Sequence, residues 1–303
     1  MGASDAGRAG TCVAVDGGAT GCRLAAFDAS GARLGTTSVG RHASLSLDPG
    51  EAADAVREGL DRLGRETGVR PCGPHAPGAA LVAGLAGSLR PERRDAFRAA
   101  LGLECTIVTD GEAQLLGATG GRPGACLAVG TGSVLHWRGA DGGSGMAGGW
   151  GFPVGDEGSA AWLGVELLRR YLRARDRSRV AGRPLLEAVE RRVGREVGTV
   201  QDWTTCTRST RLGTLARLVT AHAGRGDADA IALLEAGAGA CLDLLEAAPA
   251  GLPRHLVGGL APAYAPRLEA RGVALAEARG DALDGLALLA RGEVAAARPA
   301  RDP

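Results

Sequence analysis

"TCVAVDGGATGCRLAAFD", residues 11–28, places a tight glycine turn between two short runs of apolar residues. Two β-forming runs joined by such a turn predict a β-hairpin. The same layout returns in "ACLAVGTGSVLHWRG", residues 125–139. A strand–turn–strand unit that occurs twice indicates a duplicated architecture. We therefore expect an α/β protein with two similar halves, each carrying a glycine turn.

The rest of the chain supports this division. Apolar runs that end in glycine turns alternate with stretches of helical spacing, as in α/β folds. We expect a disordered tail over residues 1–10, a first domain over 11–118 and a second over 119–303. Long helical patterns cover 158–200 and 211–249, and a closing helix at 282–298 is expected to pack back on the first domain.

Composition narrows the class of protein. The chain has 303 residues, and all 35 of its basic residues are arginine. Its net charge is only +1, so the charge predicts no attraction to nucleic acid or to an anionic membrane. No apolar run has the length of a membrane span, and the first ten residues lack the apolar core of a signal peptide. The seven cysteines form no CxxC motif, so the sequence predicts neither a zinc site nor a set of disulfide bonds. This pattern favours a protein of the reducing cytoplasm.

The two glycine turns are candidates for binding phosphate. Glycine lets the main chain approach a ligand closely, and successive backbone N–H groups form a concave anion site. Each turn alone is equally consistent with a plain hairpin, but the pair indicates a clamp on nucleotide phosphates. The predicted phosphate-binding residues are Gly17, Gly18, Thr20, Gly130, Thr131, Gly132 and Ser133.

Two aspartates follow predicted strands. Asp16 precedes the first glycine turn, where a carboxylate beside phosphates needs a cation, so we predict that it binds Mg²⁺ through water. Asp110 ends a strand at the sheet edge where α/β proteins bind ligands, and it could take the proton of an attacking hydroxyl group. The alternatives are a turn aspartate that bonds its own backbone at Asp16 and a helix N-cap at Asp110.

A third candidate stretch is "GGWGFPVGDEGSAAWLG", residues 148–164. Sugar recognition needs carboxylates that accept hydroxyl hydrogens and a flat apolar face for the ring. Asp156, Glu157 and Trp150 supply these groups. The alternatives are a helix cap near Ser159 that uses Glu157, and a core position for Trp150 or Trp162.

Five motifs in order carry a family resemblance. These motifs are VAVDGGATGCRLAAFD, VTDGEAQLLGA, LAVGTGSVLHW, GGWGFPVGDEGSAAWLG and LVGGLAP. Together they resemble the BadF/BadG/BcrA/BcrD ATPase family, which includes bacterial glucosamine kinase and eukaryotic-type N-acetylglucosamine kinase. The resemblance implies two actin-like, ribonuclease H-like domains with a cleft for ATP and sugar between them.

The resemblance also implies roles for individual residues. Thr20 and Thr131 would contact nucleotide phosphates, Asp110 would be the catalytic base, and Gly258 and Gly259 would lie along the adenosine. The residues expected to line the sugar are Ser44, Asp110, Gly149, Trp150, Gly151, Asp156 and Glu157. Ser44 falls nearest the place where such kinases usually carry a sugar-contacting asparagine, which leaves the amino-sugar specificity open.

The function expected from these features is phosphorylation of the 6-hydroxyl of glucosamine by ATP and Mg²⁺ in the cytoplasm. N-acetylglucosamine is the alternative substrate. A nucleotide-binding regulatory or coupling ATPase without sugar turnover is the alternative class, but such a protein needs neither Asp110 nor the 148–164 stretch. We expect a homodimer, which is typical of these kinases, and no nucleic-acid or membrane partner.

Overall fold

The computed structural model describes residues 10–71, 78–205 and 208–296. The tail predicted over residues 1–10 therefore lies, except for Gly10, outside the described residues. The chain divides into two compact units. Unit 1 contains the described residues up to Cys126, the segment Arg138–Ser144 and the described residues from Glu277 onward. Unit 2 contains Leu127–Trp137 and the described part of Gly145–Ala276.

Strands and helices alternate along most of the described chain. The strands are β1 (Cys12–Gly17), β2 (Cys22–Phe27), β3 (Arg33–Val39), β4 (Ala80–Leu85), β5 (Thr106–Val108), β6 (Gly124–Val129), β7 (Ser133–Arg138), β8 (Ser144–Gly148) and β9 (Arg254–Val257). The helices are α1 (Pro49–Thr67), α2 (Pro91–Leu101), α3 (Asp110–Thr119), α4 (Ala160–Arg175), α5 (Pro184–Val193), α6 (Val197–Thr204), α7 (Ser209–Gly213), α8 (Ala216–Ala223), α9 (Ala228–Glu246), α10 (Ala261–Glu269) and α11 (Ala282–Ala290). The α/β class predicted from the sequence is confirmed.

Unit 1 is built around a sheet with the strand order β3-β2-β1-β4-β5. The β1–β2 hairpin predicted from the sequence is confirmed, with Cys12 opposite Phe27 and Gly17 opposite Cys22. Strand β1 also pairs in parallel with β4, which in turn pairs in parallel with β5. The carboxyl ends of these three parallel strands therefore meet at one edge of the sheet.

The side chains of β1 alternate between two hydrophobic cores. Val13 and Val15 belong to the core that α1 and α2 cover. Cys12 and Ala14 point to the opposite face, where α11 supplies Leu283 and other apolar side chains. Because successive strand residues face opposite sides, one short apolar strand can organise both layers.

Helix α11 packs closely against α3 in unit 1. It ends at Ala290 rather than at residue 298, so the sequence prediction was too long. Gly292 follows with a φ of 71°, a left-handed conformation that a continuing helix does not contain. The close approach depends on small residues: a Cβ added to Gly117 would lie 1.9 Å from the carbonyl oxygen of Asp281.

Unit 2 contains a sheet with the order β8-β7-β6-β9. Strand β8 lies in a glycine-rich stretch to which the sequence patterns assign no element. The Trp137 ring of β7 covers Gly145 there, so that an added Cβ at Gly145 would lie 2.3 Å from the indole Cζ2. The aromatic ring supplies the packing that the glycine lacks.

The helical part of unit 2 is more divided than the sequence predicted. The pattern over 158–200 corresponds to three helices, α4, α5 and α6, rather than to one long element. Pro184 starts α5, and Gly194 ends it with a φ of 93°. Asp229 of α9 links α4 to the start of α5. Its carboxylate accepts hydrogen bonds from Arg170 of α4 at 3.0 Å and from Arg183, beside α5, at 2.6 Å.

The contact between α3 and α11 generates a stability prediction. We expect Gly117→Ala to lower the free energy of unfolding by about 1–3 kcal/mol, because the new methyl group forces the two helices apart. Urea denaturation followed by circular dichroism measures this change. Gly239→Ala in α9 is the matched control, since no heavy atom of the described residues lies within 4 Å of an added Cβ there. An equal loss of stability in both variants would contradict the prediction.

Candidate functional site

The first glycine turn lies at the carboxyl end of β1 in unit 1. It is closed by a hydrogen bond from the Gly18 N–H to the carbonyl oxygen of Gly21 at 3.0 Å. A Cβ at Gly17 would lie 2.6 Å from Leu85 Cδ2, so packing alone requires this glycine. A Cβ at Gly18 would meet no described atom within 4 Å, and Thr20 is exposed. Gly18 and Thr20 are therefore the members of this turn that a ligand can reach.

Asp16 is held by an arginine that the sequence analysis did not identify. Arg23 lies opposite Asp16 on β2, and its Nη2 donates to Asp16 Oδ2 at 2.6 Å. Burial raises the pKa of the Asp16 carboxyl, and the hydrogen bond and positive charge of Arg23 oppose this shift. A carboxylate beside a glycine turn fits the water shell of Mg²⁺. The register of the hairpin, with Arg23 across from Asp16, is the signal that could have revealed the pair.

The loop that contains Ser44 lies beside the first glycine turn. The Ala43 N–H donates to the carbonyl oxygen of Gly18 at 3.0 Å, which fixes the loop at this edge of the sheet. Ser44 itself is 1% exposed, and its hydroxyl group lies 2.8 Å from the hydroxyl group of Ser46. Ser44 thus lies next to a residue that contacts the first glycine turn, and its own side chain makes a contact within the protein.

Asp110 begins α3 directly after β5. Thr109 is the N-cap of this helix and accepts a hydrogen bond from the Glu112 N–H at 3.0 Å, so Asp110 does not serve as the cap. Gly84 of β4 is in register with Asp16 on one side and with Val108 on the other. Asp16 and Asp110 therefore lie at the same edge of the unit 1 sheet, as the strand pattern predicted.

Glu112 is an additional buried carboxylate near Asp110. It is 7% exposed, and its Oε1 lies 4.0 Å from Nη2 of Arg138. The sequence analysis did not single out either residue, because their contact joins α3 to the end of β7. The positive charge of Arg138 therefore partly offsets the negative charge of Glu112, which lies in the same helix as Asp110.

The second glycine turn lies in unit 2, against the beginning of α4. The carbonyl oxygens of Gly130 and Thr131 accept hydrogen bonds from the N–H groups of Ala160 at 2.8 Å and Ala161 at 3.3 Å. These N–H groups belong to the first turn of a helix, where no partner within the helix exists. The turn is thereby held at the N-terminus of α4.

Not all N–H groups of the second turn point to open space. The Gly130 N–H donates to the carbonyl oxygen of Gly132 at 2.9 Å. The Ser133 N–H donates to Asp156 Oδ1 at 3.4 Å, and the Ser133 hydroxyl group donates to the carbonyl oxygen of Glu157 at 2.7 Å. Thr131 and Gly132 therefore remain the stronger candidates in this turn for binding a phosphate through their N–H groups.

Asp156 sits on this turn in an unusual backbone conformation. Its φ is 62°, in the left-handed region that aspartate tolerates better than most residues other than glycine. Burial raises the pKa of its carboxyl group, while the N–H groups of Ser133, Gly151 and Phe152 oppose this rise. The carboxylate is therefore a partly buried acceptor that belongs to both the 148–164 stretch and the glycine turn.

Between β8 and α4, the 148–164 stretch forms a glycine-rich loop that carries an exposed tryptophan. Trp150 is 88% exposed, which contradicts the core alternative for this side chain. Gly149 and Gly151 on either side of it have φ values of 69° and 85°. Ser159 is the N-cap of α4 and accepts from the Trp162 N–H at 3.2 Å, so the cap does not use the side chain of Glu157.

The Gly258–Gly259 pair follows β9 in unit 2. Gly258 has a φ of 101°, and an added Cβ would lie 2.3 Å from the carbonyl oxygen of Val129 at the end of β6. The Leu260 N–H donates to this same oxygen at 3.2 Å. Gly259 has no described atom within 4 Å of an added Cβ. The pair thus lies beside the second glycine turn, with Gly259 on the open side.

Other features limit the chemistry. Among the described residues, no group of three or more His, Cys, Asp or Glu side chains could hold a metal ion. The described cysteines are free and buried, and burial raises the pKa of Cys105, Cys126 and Cys241 to about 12. None of the helices in the described part of the chain is long and apolar enough to cross a membrane.

Comparison with solved structures defines the class of fold. The ROK family glucokinase from Streptomyces griseus, solved with glucose and AMPPNP, has a TM-score of 0.55 at 17% identity and covers 93% of this chain and 100% of its own. The fold is thus the one found in ATP-dependent sugar kinases. The chain belongs to the BadF/BadG/BcrA/BcrD ATPase family, whose sequence model matches residues 13–260. Membership in this family of ATPases implies the use of ATP.

Two further proteins resemble the chain over most of its length. Glucosamine kinase GspK from Vibrio cholerae serotype O1 is 29% identical over 226 residues, which cover 74% of this chain and 75% of GspK. A solved structure from Chromobacterium violaceum, described as a candidate N-acetylglucosamine kinase, is 33% identical with a TM-score of 0.83. It covers 92% of this chain and 98% of its own.

The open space at Gly18 generates a test of the first turn. We expect Gly18→Val to weaken ADP binding by about tenfold or more, because the branched side chain blocks the approach of a phosphate to the backbone. Isothermal titration calorimetry measures the affinity, and thermal melting checks the fold. Gly239→Val is the matched control in open space of unit 2. Unchanged ADP affinity in Gly18→Val would show that the turn only connects two strands.

Proposed function

We propose that this protein is an ATP-dependent kinase that transfers the γ-phosphoryl group to the 6-hydroxyl of an amino sugar, with glucosamine as its substrate. The observation that carries this proposal is the likeness to glucosamine kinase GspK over 75% of that protein's length. The positions of Asp110 and of the two glycine turns support the same chemistry. The proposed acceptor site draws on the 148–164 stretch.

Asp110 is the proposed catalytic base. It follows the carboxyl end of β5, one of the three parallel strands of the unit 1 sheet, where α/β proteins place their ligands. A carboxylate there accepts the proton of the sugar hydroxyl as its oxygen attacks the γ-phosphorus, and the phosphoryl group leaves ADP. Because Thr109 provides the helix cap, the end of α3 does not depend on the side chain of Asp110.

The phosphate contacts are assigned to the accessible members of the glycine turns. Thr20 in unit 1, and Thr131 and Gly132 in unit 2, provide hydroxyl donors and backbone N–H groups. Gly18, whose N–H donates to the carbonyl oxygen of Gly21, leaves open space for the phosphate to approach. Asp16 is the residue that would hold Mg²⁺ through water, and the ion, when bound, would offset the negative charge of the phosphates. Gly259 is the proposed backbone contact of the adenosine. Gly258, with its positive φ, allows the backbone conformation that leads to Gly259.

The acceptor side is assigned to the loop of unit 2. Asp156 and Glu157 provide carboxylate acceptors, and Trp150 provides an exposed aromatic face. An ammonium group, present in glucosamine and absent from its N-acetyl form, is attracted by two adjacent carboxylates. N-acetylglucosamine is the second candidate substrate, favoured by the 33% identity to the Chromobacterium violaceum protein. Ser44 provides no amide at the place of the usual asparagine.

The choice of substrate is tested by an ADP-release assay. We expect kcat/KM to be highest for glucosamine among glucosamine, N-acetylglucosamine, N-acetylmannosamine and glucose. The assay couples ADP formation to NADH oxidation, and mass spectrometry identifies the sugar phosphate. A clear preference for N-acetylglucosamine would select the second candidate. ATP binding without turnover of any of these sugars would contradict the kinase assignment and favour a regulatory or coupling ATPase.

The role of Asp110 is tested by Asp110→Asn. We expect kcat to fall by about 10²–10⁴-fold, because the amide keeps the shape of the carboxylate but cannot take the proton. ADP and sugar affinities, measured by calorimetry, should stay close to those of the wild type. Asp95→Asn is the control, since this exposed aspartate of α2 pairs only with Arg98 among the described residues. Turnover above one tenth of the wild type in Asp110→Asn would exclude the assignment.

A further inference from the structure

The carboxylate of Asp156 lies on the glycine turn assigned to phosphate. Its Oδ1 accepts the Ser133 N–H at 3.4 Å, and a Cβ at Gly132 would come within 2.9 Å of its Oδ2. The aspartate therefore approaches the turn so closely that a side chain at position 132 would displace its carboxylate. The backbone reinforces this arrangement, because the Ser159 N–H donates to the carbonyl oxygen of Asp156 at 3.0 Å.

A carboxylate in this position affects any second anion at the same turn. The carboxylate accepts the Ser133 N–H, and the phosphate is assigned to the neighbouring N–H groups of Thr131 and Gly132. Their charges repel each other, and the repulsion is stronger in a partly buried site than in water. Sugar hydroxyl groups that donate hydrogen bonds to Asp156 would reduce this repulsion. They would delocalise the negative charge of the carboxylate and draw the carboxylate away from the turn.

We propose that Asp156 couples the binding of the sugar to the binding of the nucleotide. This proposal rests on the proposed function, since it assigns the acceptor side to Asp156. Without sugar, the carboxylate opposes the phosphate at the second glycine turn. With sugar bound, the opposition falls and the nucleotide binds more tightly. Thermodynamic linkage requires that the nucleotide raise the affinity for sugar by the same factor.

Glu157 does not share this role, although it is the neighbouring carboxylate. Its side chain is exposed, and it contacts the turn only through its backbone carbonyl oxygen, which accepts the Ser133 hydroxyl group at 2.7 Å. A control for the charge alone must lie outside the proposed sugar site, which includes Glu157. Glu246→Gln at the exposed end of α9 removes one negative charge and is therefore matched to Asp156→Asn in net charge but not in position.

The experiment measures ADP affinity by calorimetry with and without saturating glucosamine, in the wild type, Asp156→Asn and Glu246→Gln. In the wild type, we expect glucosamine to tighten ADP binding by about fivefold or more, within the usual range of coupling between sites. In Asp156→Asn, ADP alone should bind about fivefold more tightly than to the wild type, and glucosamine should change this by less than about twofold. Glu246→Gln should keep the wild-type ADP affinity in the absence of sugar.

The ADP measurement without sugar separates this proposal from the proposed function. Unchanged or weaker ADP binding in Asp156→Asn would overturn the coupling role whether or not the protein phosphorylates a sugar. Loss of sugar binding by the wild type would count instead against the kinase assignment. Asp156→Gly is the second variant, because glycine and asparagine both tolerate the positive φ at this position. It must also tighten ADP binding, or the proposal fails.

Discussion

The hydrogen bonds from the first turn of α4 to the second glycine turn are the interaction on which the unit 2 site depends. The N–H groups of Ala160 and Ala161 would otherwise be without partners at the start of a helix. By donating to Gly130 and Thr131, they fix a glycine turn that has little conformational preference of its own. The 148–158 loop precedes the same helix, so these hydrogen bonds also help to hold Asp156 on the turn.

The sequence predicted the parts of the fold that depend on local patterns. Alternating apolar residues and a glycine turn are sufficient to define the β1–β2 hairpin, because neighbouring strands need no distant contact to pair. Strand β8 was missed because its glycines resemble a loop until the Trp137 ring on β7 is placed over Gly145. The division of the helices after α4 was missed because helical spacing continues across the breaks.

In the candidate site, too, the sequence predicted only the features that depend on local patterns. Residue type and position after a strand were sufficient to select Asp16 and Asp110 as candidates at the edge of the sheet. Their partners could not be predicted in the same way, because Arg138 approaches Glu112 only in the folded chain. The contact of Asp156 with Ser133 joins segments that are 23 residues apart. It places Asp156 on the second glycine turn, which its sequence motif alone does not reveal.

The position of α11 also has a consequence for synthesis on the ribosome. Phe27 and Ala14 belong to a core that is completed by Leu283 and its neighbours in α11. All of unit 2 is translated between α3 and this helix, which takes roughly 10–30 s at typical rates of elongation. During that interval one apolar face of the nascent unit 1 sheet lacks its final cover. The core on that face of unit 1 therefore cannot be completed until α11 has been synthesised.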